Sequence, residues 1–68
     1  MLQLSIEEAL AVNAEAQNLK NRFPFRRIFV MRLAEGGDPY VTAVTSMRIP
    51  KRMLRSGEAV EVSEITFG

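Results

Sequence analysis

The sequence predicts an α+β domain: one long N-terminal helix packed on a three-stranded antiparallel sheet, in the order α-β-β-(short helical turn)-β. Three observations carry this. A capped, alanine-rich stretch opens the chain, and β-branched and aromatic runs follow, separated by a Gly-Gly-Asp-Pro turn. A proline and a glycine then bracket a short basic segment before the last run. With 68 residues and neither cysteine nor histidine, residues 1–68 make one small domain, near the lower limit for folding on a single core.

The helix is expected from about Ile6 to Asn21. Ser5-Ile6-Glu7-Glu8 has the form of a capping box, Glu7 and Glu8 suit the positive end of the macrodipole, and Lys20 suits the negative end. Pro24 then disfavours continuation. At 100° per residue, Ile6 and Leu10 lie on one flank and Val12, Ala16 and Leu19 on another, with Asn13, Gln17 and Lys20 between them. One flank is expected to pack on the sheet, leaving the other as a rim or a dimer contact; the sharper alternative is a binding row of Asn13, Gln17 and Lys20.

Phe25–Leu33 reads as the first strand and Tyr40–Ile49 as the second, joined through Ala34–Pro39, where Gly36 and Gly37 can take positive φ. Pro50 at a first helical position and Gly57 past the end bracket Lys51–Ser56 as a helical turn. Glu58–Phe67 is the third strand. Val60 and Val62 share one side of it and Ile65 and Phe67 the other, so a bulge near Ser63-Glu64 is expected.

One long helix covers one face of such a sheet. If the more apolar set of each strand faces the helix, the open face carries Arg26, Ile28, Val30, Arg32, Tyr40, Thr42, Val44, Ser46 and Arg48. An apolar centre ringed by arginines has the composition of a partner surface. Lys51, Arg52 and Arg55 extend it beside Arg48, and Arg22, Arg26 and Arg27 form a second cluster around Phe23 and Phe25.

Charge is segregated along the chain. All nine basic residues lie between Lys20 and Arg55 with only two acids, Glu35 and Asp38, a formal charge of +7 for that stretch. Glu7, Glu8 and Glu15 precede it, and Glu58, Glu61 and Glu64 follow it. Such polarity bears on partners rather than on fold.

Without His or Cys, imidazole bases, thiolate nucleophiles and Cys/His zinc sites are excluded. No Walker A loop or dinucleotide fingerprint occurs, so no enzyme activity, cofactor or metal is expected. No secretory leader or run of ~20 apolar residues is visible, which makes cytoplasmic the default location. A chain this small that begins at its own Met fits a regulatory gene product, those of phages and mobile elements included.

The leading expectation is a non-enzymatic protein-binding module, an adaptor, regulator or inhibitor of a larger protein or nucleoprotein complex, acting through Ile28, Val30 and Val44 with Arg26, Arg32, Tyr40 and Arg48 around them. The competing expectation is direct RNA or DNA binding through the basic 20–55 segment, Lys51, Arg52 and Arg55 included. Against it stands a shortage of exposed rings: Phe25 and Phe29 are assigned to the core, leaving Tyr40 and at most Phe23 for base stacking. A homodimer held through the open face is the third arrangement.

Overall fold

The computed structural model describes residues 2–67. Helix α1 spans Ile6–Arg22, strands β1 and β2 span Arg27–Leu33 and Tyr40–Val44, helix α2 spans Arg48–Ser56, and strand β3 spans Ala59–Ile65. The α+β arrangement is the one the sequence predicts. The sheet order is β2-β1-β3 with both pairings antiparallel, so β1 is central and β3 reaches its far side after the α2 crossover.

α1 starts where the capping box places it. The Ser5 hydroxyl accepts the Glu8 N–H at 3.1 Å, and the Ser5 N–H donates to the Glu8 carboxylate at 3.0 Å. These bonds satisfy two backbone donors that a helix start otherwise leaves orphaned. Ser5→Ala is expected to cost about 1 kcal/mol, lowering Tm in a thermal melt by roughly 4–8 °C for a domain of this size.

Val12 and Ala16 are the buried residues of α1, and they meet Ile28, Val30 and Val41 of the sheet together with Leu2. Leu19, Ala43, Ile65 and Phe67 complete this layer. The Val12–Ala16–Leu19 flank is thus the packed one. Ile6 and Leu10 point to solvent, 82% and 66% exposed. Asn13 and Gln17 are exposed, while Lys20 is half-buried.

The expected assignment of the β1 faces is reversed. Antiparallel partners share a face, and the register pairs Ile28 with Ala43 and Val30 with Val41. Ile28 and Val30 therefore lie beneath α1, and Arg27, Phe29, Met31 and Leu33 take the opposite face. That face is not open either, because Phe29, Met31 and Val44 are buried there. α1 occupies the other side, so the cover is α2, which packs against β3 and buries Pro50. Four consecutive buried residues, Ile28–Met31, are the mark of a strand buried on both faces.

α2 can do this because it is longer than the expected turn. It begins at Arg48, not Lys51, and β2 ends correspondingly early, at Val44. The Ser46 hydroxyl accepts the Arg48 N–H at 3.1 Å, starting the helix before the proline. Pro50 then falls in the first turn, where a missing N–H costs nothing. Gly57 ends the helix in the left-handed region at φ 85°, a conformation side chains resist.

A bulge occurs in β3, but at its start. Arg32 pairs with Glu61 and Leu33 with Ala59, leaving Val60 as the extra, exposed residue. Near Ser63-Glu64 the ladder is regular. The phase change needs no correction there, because both faces are covered: Val62, opposite Met31, faces the α2 layer, and Ile65, opposite Ile28, faces the α1 layer.

Candidate functional site

The topology turns the linear charge pattern into two ends of different sign. At one end meet the C-terminus of α1 and the start of β1, where Lys20, Arg26 and Arg27 border one groove and Arg22 and Arg26 lie over the Phe23 ring; Arg27 pairs with Val44, after which the chain runs on into the start of α2 at Arg48. At the other, the hairpin turn carries Glu35 and Asp38, and the first half of α1 lies against Asp38-Pro39 with Glu7, Glu8 and Glu15 along one groove. The remaining cations of α2 carry positive charge along its outer surface.

Arg48, Lys51, Arg52 and Arg55 line one shallow groove on α2. Their positions are i, i+3, i+4 and i+7, which place them on a single helical face while Pro50 is buried on the other. All four are exposed. Starting the helix at Arg48 is what brings that residue into the row.

Two ion pairs form among the described residues. Arg27 grips Glu64 at two points, its Nε donating to Oε2 at 2.8 Å. Arg32 donates to Glu8 at 3.3 Å and to the Gln3 carbonyl at 3.2 Å, tying the N-terminal segment and α1 to the sheet. Lys20, Arg22, Arg26 and the four cations of α2 have no carboxylate partner among the described residues. The acidic flanks of the sequence thus leave most of the basic charge unneutralised.

The Ser5 backbone N–H, and after it Arg32, hold the Glu8 carboxyl below its ordinary value of 4.5. Hydrogen bonds from Arg27 do the same for Glu64, and Glu64 in turn raises the Arg27 guanidinium. Because folding lowers these two carboxyl pKa values, their stabilisation is complete above about 4.5 and is lost as pH falls through the lowered values. Melting followed from neutral pH into acid is therefore expected to show a falling Tm. The Glu8→Gln, Glu64→Gln double variant is expected to melt lower at neutral pH and to show a flatter decline.

The turn between α1 and β1 departs most from expectation. The Arg26 N–H donates to the Phe23 carbonyl at 3.1 Å, closing a β-turn with Pro24 at its second position. Phe25, at the third position, has its side chain 100% exposed. It was expected in the core as the first residue of β1, yet the strand begins only at Arg27. Pro24 was the available signal, since proline favours this turn position and fixes its φ.

Cations sit over neighbouring rings here. The Arg26 guanidinium lies 4.3 Å and that of Arg22 5.5 Å from the Phe23 centroid, and the Lys20 ammonium lies 5.5 Å from that of Phe67. Lys20, Phe25, Arg26 and Phe67 border one groove, with the Arg27–Glu64 pair in its wall.

The ten expected binding residues therefore separate. Arg48, Lys51, Arg52 and Arg55 come together on α2, and Arg26 lies at the basic end. Ile28, Val30 and Val44 are core residues and are corrected as surface candidates, because they lie on two different faces and both are covered, Ile28 and Val30 beneath α1 and Val44 on the α2 side. Arg32 is half-buried and engaged with Glu8. Tyr40 is 47% exposed, but it pairs with Met31 toward the acidic end of the sheet. Phe67 is the groove residue that sequence reasoning missed, and Phe25, placed within the second basic cluster but assigned to the core, is corrected to the surface.

No helix among the described residues is long and apolar enough to cross a membrane. No family model, curated protein or solved structure matches the chain.

Proposed function

We propose that this protein is a non-enzymatic nucleic-acid-binding module that docks on phosphates through the outer face of α2 and the adjoining basic end. The observation that carries this reading is the row of Arg48, Lys51, Arg52 and Arg55, exposed on one helix face with no carboxylate partner among the described residues. Surface cations facing a polyanion release its condensed counterions, giving an affinity that is sequence-independent and sensitive to salt. A role in a larger nucleoprotein complex is compatible with this chemistry.

The test is binding to a labelled single-stranded oligonucleotide across a salt series. With four to seven phosphates neutralised, log affinity should fall against log salt with a slope of roughly −3 to −5. Absence of binding at low salt, or a slope near zero, would overturn the reading.

A protein partner, or a second copy of this chain, is favoured by a different observation: Ile6 and Leu10 are exposed one turn apart on the outer flank of α1. Were that flank an interface, Ile6→Ser with Leu10→Ser would abolish association in sedimentation while leaving nucleic-acid affinity unchanged. A wild-type chain that sediments as a monomer and captures no protein would remove this second reading.

A further inference from the structure

Resting on the nucleic-acid reading, we propose that the turn at the basic end is a stacking site for an unpaired base, making the ligand single-stranded nucleic acid rather than duplex. A phenylalanine whose side chain is fully in water forfeits the burial that ordinarily holds such a ring inside. Phe25 is not displayed by a loose loop. The Phe23–Arg26 hydrogen bond and Pro24 hold the turn, and the strand that follows immediately is the central one of the sheet.

The surroundings supply what a nucleotide needs besides a ring. Lys20 and Arg26 border the same groove as Phe25, and neither has a carboxylate partner among the described residues. Each lies over another ring, Lys20 over Phe67 and Arg26 over Phe23, so both are held near Phe25 while their hydrogen-bonding groups remain able to meet phosphate. Glu64, the acid in the groove wall, is engaged by Arg27 and so offers little repulsion to a phosphate.

A base can stack on Phe25 only if its own face is free. In a duplex the faces are already stacked, whereas every unpaired base presents one, so the contact discriminates by strandedness and not by sequence. Charge complementarity therefore favours a polyanion, and the ring favours one with exposed bases. A membrane surface fits less well, because stable anchoring takes more apolar area than one ring provides.

The experiment measures anisotropy of labelled oligothymidylate, oligouridylate and a duplex of equal length with the wild type, Phe25→Ala and Phe25→Trp. Circular dichroism checks that each variant folds, as expected for a side chain buried nowhere. Phe25→Ala should weaken binding of both single strands about ten-fold at fixed salt, leaving duplex affinity and the salt slope unchanged. Phe25→Trp should preserve or strengthen single-strand binding. Equal losses on single strand and duplex, or no loss on either, would overturn the stacking site while salt-dependent binding left the phosphate-docking reading standing. Binding to vesicles of anionic lipid with none to any oligonucleotide would overturn both.

Discussion

Val30→Asp is expected to abolish folding: its circular dichroism should be that of a disordered chain at temperatures where the wild type is native. Val30 lies at the middle of the central strand, between Val41 on β2 and Ser63 on β3, in the layer that receives Val12 and Ala16 of α1. A carboxylate there has no cation partner to repay its desolvation, and burying an uncompensated charge costs several kcal/mol even after relaxation. A single core of this size supplies only roughly 3–5 kcal/mol in all. Ile6→Asp introduces the same group at an exposed α1 position and should leave the spectrum native. A natively folded Val30→Asp would show that this side of the sheet is not beneath α1 and would return Val30 to the surface.

The second large effect falls on binding and not on stability. Reversing Arg48, Lys51 and Arg52 together to glutamate should reduce the magnitude of the salt slope by about 2 and lower affinity about a hundred-fold near physiological salt. These three positions are chosen so that unfolding is not a competing explanation. They lie in the first half of α2, whose first turn holds no acid, and negative charge there suits the helix macrodipole. All three are exposed, so no packing is lost. Arg55, in the last turn, already suits that end of the dipole and is left in place. Unchanged affinity and slope in the folded triple variant would remove α2 as the phosphate-contacting surface and leave the Phe25 end as the site.

The two predictions follow from the two covers of the sheet: α1 over the layer that holds Val30 and, over the opposite face, α2. It turns Val44 and its neighbours into core, and it moves the exposed positive charge from a sheet face to a helix face. A binding surface sought at Val30 and Val44 would yield unfolded variants. One sought along Arg48–Arg55 should yield folded variants with altered affinity.

The sequence by itself determined the features that rest on local chemistry. The α1 start is a hydrogen-bonded exchange between residues three apart, so Ser5 and Glu8 announce it. The hairpin turn and the end of α2 need positive φ, which Gly36, Gly37 and Gly57 provide. The element order and the unbalanced positive charge between Lys20 and Arg55 were likewise legible. Tertiary structure decided what local pattern leaves open. Which side of β1 meets α1 depends on its register with two other strands, and both sets of its side chains are apolar enough for either side. The run Ile28–Met31 carried the clue to two-sided burial, but its second cover was visible only once α2 was seen to begin at Arg48. Whether Phe25 enters the core depended on where the strand starts: it begins two residues later, at Arg27, and the Phe23–Arg26 turn sends Phe25 outward. Arg27 and Glu64, 37 residues apart in sequence, become neighbours because antiparallel strands return to the same end of the sheet, a consequence of pairing and not of composition.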